Sequence, residues 1–278
     1  MRIREFLLIG LLVCVGVGSI LIYARPSTTS YSVVNYGDDG LSKLKEFYKA
    51  SVITDMSVVR GANTINTAYL IIRSSNMSLS DVEILKQLIS NGGYVIVSGS
   101  PEFIMSLSNY MGLNLSVTDN VIYDMIYNGG NRFYPRGFSS YCNTTLTTYK
   151  PYYVLFSKAE VVAYSSNFSY VDLNGNGYMD IEESLGSFPL GVLISFGEGY
   201  LILVFSPQVF TNKLFESNKD FINCIVGNRK LVIDQSEVRK DFIEYVRILT
   251  SPREASYTVL FLLIFVLCVV TYYVFKGR

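Results

Sequence analysis

Two stretches, one toward each end of the chain, carry no charged residue: residues 6–23 (FLLIGLLVCVGVGSILIY) and residues 257–275 (YTVLFLLIFVLCVVTYYVF). A helix rises 1.5 Å per residue and about 20 apolar residues cross a bilayer core, so both stretches are long enough to span one. Between them the pattern changes to short apolar runs divided by turns. Residues 31–35 (YSVVN) predict a strand ending in the turn Tyr36-Gly37-Asp38-Asp39-Gly40. Residues 41–51 put Leu41, Leu44, Phe47 and Tyr48 on one helical face. Residues 52–59 predict a strand, and residues 68–73 (AYLIIR) a fully buried one. Ser78 or Ser80 then caps a helix that buries Val82, Leu85, Leu88 and Ile89 and stops at Asn91-Gly92-Gly93. Residues 94–98 (YVIVS) predict another buried strand, and Pro101 opens a helix that runs to Met111-Gly112.

Such alternation predicts right-handed βαβ units, hence an α/β fold with a mostly parallel sheet flanked by helices. The later half differs. Residues 152–165 and 191–205 predict longer strands, the second broken at a hairpin turn, Phe196-Gly197-Glu198-Gly199. A helix is expected over 218–226, a strand over 231–233 and a helix over 237–249.

Flanking charge sets the expected orientation. Arg2 and Arg4 precede the first apolar stretch, and Lys276 and Arg278 follow the second. The positive-inside rule then places both termini in the cytoplasm and the middle outside, at a cell membrane; Arg25 and Arg253 oppose this bias without reversing it. The expected organisation is an N-terminal transmembrane anchor (1–25), an extracellular α/β domain (26–252) with an inserted region over about 120–190, and a C-terminal transmembrane helix (253–278). A cleaved signal peptide is the alternative for the first stretch. No Ala-x-Ala pattern follows it, so an uncleaved anchor is the reading.

Composition narrows the chemistry. Asn-x-Ser/Thr sequons occur at Asn76, Asn114, Asn143 and Asn167, candidate glycosylation sites of an outside domain. Cys14 and Cys268 fall in the apolar stretches, which leaves Cys142 and Cys224 as either a disulfide or two free thiols. Of 23 basic and 23 acidic residues, Arg2, Arg4, Lys276, Arg278 and Glu5 lie outside residues 24–255, leaving 19 and 22, a net of −3. With no basic stripe, nucleic acid is excluded as an expected partner. The chain has no histidine, which removes the usual general base, Ser-His and Cys-His pairs and most catalytic zinc sites.

The sharpest local signal is Asp172-Leu-Asn-Gly-Asn-Gly-Tyr-Met-Asp-Ile-Glu-Glu183. It fits the twelve-residue calcium loop of EF-hands: Asp172, Asn174 and Asn176 at positions 1, 3 and 5, Gly177 at 6, Tyr178 giving a backbone carbonyl at 7, Asp180 at 9 and Glu183 at 12. The preceding residues read as strand, so an isolated Ca2+ loop between strands is expected. The alternative is an Asn/Gly/Asp-rich turn that binds nothing. Three charged ligands suit a dissociation constant of about 10⁻⁴–10⁻³ M.

Asn35, Gly37, Asp38, Asp39 and Gly40 form a candidate ligand turn, since ligands of α/β sheets bind beyond the carboxyl ends of strands. A plain turn is the alternative, and the two aspartates disfavour phosphate. Tyr123, Tyr127, Tyr134, Tyr141, Tyr149, Tyr152 and Tyr153 offer either a sugar- or protein-binding face or ordinary packing.

Asn35, Gly37, Gly40 and Leu41, then Ser80, Glu83, Gly92 and Gly93, and later Gly197, Gly199, Phe210, Thr211, Asn212 and Asp234 give the chain a family likeness. It resembles a membrane-anchored family of unknown function whose domain is similar to class I glutamine amidotransferase-like (flavodoxin-like) folds, often beside MoxR-type ATPases. The resemblance covers about residues 31–112 and 190–236. It implies a flavodoxin-like sheet and membership of a membrane complex. The amidotransferases place a nucleophilic cysteine on a turn equivalent to Ser98-Gly99-Ser100-Pro101-Glu102, which has none. The expected function is therefore a non-catalytic, calcium-stabilised, membrane-anchored binding or assembly domain with a protein partner. The rival is an extracellular hydrolase or glycan-processing enzyme using Asp38, Asp39, Asp124 or Asp234 as an acid–base pair.

Overall fold

The computed structural model describes residues 10, 26–61, 66–237 and 241–250. The chain divides into two units, one of Ser30–Glu237 and one of Met1–Thr29 with Val238–Arg278.

In the first unit, helix α1 (Ser42–Tyr48) ends at Lys49, which takes the left-handed conformation. Strand β1 (Ser51–Ile53) leads to a short 3-10 turn, Met56–Val59, which Asp55 starts by accepting from the Ser57 amide at 2.8 Å. Strand β2 (Thr67–Arg73) is buried along nearly its whole length, the signature of a strand covered on both faces. Ser78 caps helix α2 (Leu79–Ser90), strand β3 (Tyr94–Gly99) follows, and Ser100 caps helix α3 (Pro101–Met111) with proline in its first turn. Strands β4 (Leu115–Asp124), β5 (Arg136–Ser139), β6 (Thr144–Thr147), β7 (Tyr152–Phe156), β8 (Glu160–Ser165) and β9 (Ser169–Asp172) form the middle. The hairpin of β10 (Pro189–Phe196) and β11 (Gly199–Val204), helix α4 (Phe215–Val226) and strand β12 (Lys230–Asp234) complete the unit.

The sheet corrects the expected fold class. Its nine strands run β1-β12-β2-β3-β11-β10-β8-β5-β6, with β7-β4-β9 as a separate antiparallel sheet. The five strands from β1 to β11 pair in parallel. From β11 onward every pairing is antiparallel. The physical cause is the two-residue turn Gly197-Glu198, which reverses the chain at Phe196↔Gly199 and presents β10 as a template for hairpin-type pairing. The molecule is thus a mixed sheet, not a mostly parallel flavodoxin-like or glutamine amidotransferase-like one.

Two glycines, Gly197 and Gly199, make that junction fit; a Cβ on Gly197 would lie 2.7 Å from the Ser90 Cα. A Cβ on Gly199 would lie 2.2 Å from the Ile89 carbonyl and 2.3 Å from that of Gly93, so β11 presses directly on the end of α2. Phe103, Leu85, Ile89, Val95, Leu201 and Phe205 lie in the core between sheet and helices.

Residues 31–35 form turns where a strand was expected. One side chain reaches two of their backbone groups: Gln235 accepts from the Val33 amide at 3.0 Å and donates to the Tyr31 carbonyl at 3.0 Å, while the Tyr31 and Asn35 amides bond within residues 31–39. In the second unit, helix α5 (Phe242–Thr250) starts at Asp241, which accepts from the Ile243 and Glu244 amides. Glu244 pairs with Arg247 at 3.2 Å and accepts from the Ser27 hydroxyl.

The membrane expectation is also corrected. Among the described residues no helix is long and apolar enough to cross a membrane. The longest in the sheet unit, α2 and α4, have 12 residues each, about 18 Å against about 30 Å of hydrocarbon. Anchoring by two terminal transmembrane helices, the extracellular placement and the cytoplasmic termini are therefore withdrawn. Apart from Gly10, the two apolar stretches lie outside the described residues.

Candidate functional site

The loop 172–183 leaves the end of β9, and Gly186 bridges back to Ser169 before β10 begins. No helix flanks it. Its geometry is built from side chains folded onto the loop's own backbone. Asp172 is buried, and its two oxygens accept from the Gly175 and Gly177 amides, each at 2.8 Å. Gly177 has a φ of +74°, the left-handed backbone that position 6 demands and that L side chains rarely adopt. Asn174 and Asn176 accept through Oδ1 from the amides of Asn176 and Tyr178. Their amide nitrogens both donate to Asp180 Oδ2, at 2.6 and 2.7 Å, so positions 3, 5 and 9 converge on one point.

Glu183 closes the ring. It is buried, and it accepts from the Leu173 amide at 2.7 Å and from Asp180 at 3.1 Å, joining the two ends of the loop. Among the described residues neither Asp172 nor Glu183 forms an ion pair. Burying two carboxylates on backbone N–H groups, with Arg132 stacked on the nearby Tyr178 ring and not paired to either, is a costly arrangement that a bound cation would offset. Among the described residues no three His, Cys, Asp or Glu side chains gather as a metal-holding group. The loop's set of hard oxygens counts two carboxamides beside its carboxylates. An amide rotation at Asn174 and Asn176 would exchange N–H for Oδ1 toward Asp180.

The turn at residues 35–40 is held from across the chain. Asn212 donates from Nδ2 to the carbonyls of Asn35 (3.0 Å) and Gly37 (2.7 Å) and accepts through Oδ1 from the Lys43 amide (2.9 Å). A Cβ on Gly40 would fall 1.9 Å from the Asn35 carbonyl, so the space that glycine opens is filled by the turn's own backbone. At the start of α1, Asn212 likewise takes the Lys43 amide.

The exposed side of that turn has a different character. Asp38 and Asp39 line an open cavity of about 250 Å³ with Tyr134, Tyr149, Gln208, Thr211, Lys213 and Leu214. The two tyrosine rings lie 4.8 Å apart and 43° from parallel. Lys213 Nζ sits 5.4 Å from the Tyr134 ring centre and 3.8 Å from Asp38. Hydrogen bonding to Tyr134 is the main influence that raises the Lys213 pKa, and Asp38 adds to it. Beside the cavity the Tyr31 phenol accepts from Gln208 at 3.1 Å; burial, with Asp39 adding, pushes its pKa up to about 12.

A chain of ring contacts joins the calcium-type loop to this cavity. The Arg132 guanidinium lies 4.1 Å from the Tyr178 ring and 5.2 Å from Phe133. Lys150 is 5.1 Å from Phe133 and 5.7 Å from Tyr149, which meets Tyr134.

The rival acid–base residues do not converge. Asp124 is buried and accepts from the Ile126 and Tyr127 amides and the Ser166 and Ser169 hydroxyls. Asp234 pairs with buried Arg73 at 2.8 Å. Only Asp38 and Asp39 share the cavity. Ser98 is buried and donates to the Val204 carbonyl, and Ser100 caps α3, so neither is poised as a nucleophile.

Cys142, in the β5–β6 turn, is bonded to Cys224 of α4, with Cα atoms 5.7 Å apart. The sequon residues Asn76, Asn114, Asn143 and Asn167 are all exposed. Sequence reasoning missed Gln208 and Lys213 as cavity residues; the adjoining Phe210-Thr211-Asn212 was the signal that marked their position.

No family model matches the chain, and no curated protein matches it. Some solved structures are weakly similar. The mmIFT52 N-terminal domain has a TM-score of 0.45 at 12% identity, covering 62% of this chain and 78% of that one. A cytoplasmic protein from Salmonella typhimurium has a TM-score of 0.38 at 11% identity, covering 65% and 75%. A β-galactosidase from Bacillus circulans sp. alkalophilus has 0.35 at 11% identity, covering 55% of this chain and 22% of the enzyme. At these scores none bears on activity.

Proposed function

We propose that the chain is a non-catalytic binding domain whose 172–183 loop takes a calcium ion for stability. The observation that carries this reading is the pair of buried carboxylates, Asp172 and Glu183, fixed by loop amides at positions 1 and 12 and forming no ion pair among the described residues. Asp172, Asn174, Asn176, Asp180, Glu183 and the Tyr178 carbonyl would hold the ion. Neutralising the carboxylates offsets the entropy of ordering an excursion that has no helix to brace it. The cavity at Asp38, Tyr134 and Tyr149 is the binding face, and its partner in this reading is a molecule held rather than transformed. Support for the non-catalytic part comes from the absence of histidine and the engagement of Asp124, Asp234 and Ser98 in buried networks.

Thermal unfolding with calcium and with chelator tests the reading. Ligand at about 100 times its dissociation constant adds about 2.7 kcal/mol, so a rise of several degrees in Tm is expected for the native chain. Asp172→Ala/Glu183→Ala should show no calcium response. An unchanged Tm in the native chain would remove calcium from the account.

A further inference from the structure

The geometry points to the cavity at Asp38, Asp39, Tyr134, Tyr149, Gln208 and Lys213 as a site for a neutral sugar ring, a ligand class that deepens the binding-domain reading and rests on it.

The argument begins with charge. Asp38 and Asp39 on one side face Lys213 within the cavity and Lys150 at the outer edge of Tyr149. These four formal charges cancel. An anionic ligand would meet two carboxylates and find Lys213 already paired with Asp38, whereas a cationic ligand would meet the Lys213 ammonium and find Asp38 paired with it and Asp39 accepting from Asn35 and Ser30. A neutral ligand crosses neither barrier.

The polar groups then specify what kind of neutral molecule. Carboxylates accept, the Lys213 ammonium donates, and the Gln208 carboxamide does both, with its amide already directed at the Tyr31 phenol. Acceptors and donors interleaved around one small cavity match adjacent hydroxyls, each of which donates once and accepts as well. The apolar part matches too. Tyr134 and Tyr149 meet at 4.8 Å and are half-buried, presenting ring surface with polar tips. A pyranose has such a duality, with C–H groups on one face and hydroxyls around its rim. The cavity's volume, about 250 Å³, accommodates a single ring and not an extended chain.

The cavity is also pre-formed. Asn212 fixes the turn that carries Asp38 and Asp39 with hydrogen bonds of 2.7–3.0 Å, and the Asp38 carbonyl accepts from the Lys213 amide at 3.0 Å. Little ordering is therefore required on binding.

Saturation-transfer NMR on the purified full chain tests this, with the methyl glycosides of glucose, galactose, mannose and N-acetylglucosamine as probes, each in calcium and in chelator. At least one glycoside should receive saturation on its ring C–H protons. Tyr149→Phe should retain that binding within threefold, while Tyr149→Ala and Asp38→Asn should each weaken it at least tenfold with the chain still folded by circular dichroism. Asp38→Asn changes an exposed side chain, so the test survives if Tyr149→Ala fails to fold. Absence of saturation in all four glycosides, or binding that persists in Asp38→Asn and Tyr149→Ala, overturns the proposal. A calcium-dependent Tm without any glycoside signal defeats the sugar site alone. Glycoside binding without a calcium-dependent Tm defeats the calcium reading and leaves the sugar site standing.

Discussion

Asn212 shows how one side chain can decide a local structure. Its amide donates to two carbonyls of the 35–40 turn and to Ser42, and its oxygen holds the Lys43 amide in the first turn of the helix that follows, all across some 170 residues of sequence. Removing it takes away three donated bonds and one accepted bond at a buried position. We expect Asn212→Ala to lower stability by about 2–4 kcal/mol in urea unfolding. Asn212→Asp keeps the shape but cannot donate, so it should cost as much; a near-neutral Asp variant would show that the donor bonds are not what matters. The sequence displayed Asn212 only as part of a motif. Its role was illegible because its partners are distant in the chain, and the same holds for Gln235, whose side chain bonds the backbone of Tyr31 and Val33 in the turns at residues 31–35. By contrast the turn of loop 172–183 can be read locally, because the side-chain hydrogen bonds of Asp172 and Glu183 stay within the loop.

Elements were legible where their determinants are local. Helices α2 and α3 start at Ser78 and Ser100 and stop at Asn91 and Gly112, residues whose capping chemistry can be read directly. The run 152–165 was not, since β7 and β8 belong to different sheets and part at Ser157-Lys158, where Lys158 takes a φ of +64°. Apolar alternation marks both halves as strand but says nothing about which sheet each joins. The direction of β10 was written in its turn, yet its consequence was not: a single two-residue hairpin converts a parallel sheet into a template for four antiparallel strands. Strand β4 went unread because its polar and apolar residues mix without clean alternation, as its part-buried pattern records.

At the scale of the whole sheet unit, the far edge depends on covalent chemistry. The β5–β6 hairpin closes the sheet, and Cys142 in its turn is bonded to Cys224 of α4 across 82 residues. The chain-entropy model gives such a loop about 4.5 kcal/mol. Cys142→Ser/Cys224→Ser should therefore lower unfolding stability by about 3–5 kcal/mol, and reduction of the native chain should match the double variant; equality of oxidised and reduced stability would remove the crosslink from the account. Between that edge and the middle sheet, the contacts from Tyr178 through Arg132, Phe133 and Lys150 to Tyr149 tie the calcium-type loop to the cavity. Whether calcium enters the loop is thus the central question, and the Gly177 amide answers it most directly, because it donates to Asp172 Oδ2 at position 1. In a 15N-resolved NMR titration with calcium, the Gly177 resonance should shift saturably, with half-effect at about 10⁻⁴–10⁻³ M, and stay fixed in Asp172→Ala. A Gly177 resonance that does not move up to about ten times that concentration would contradict the account.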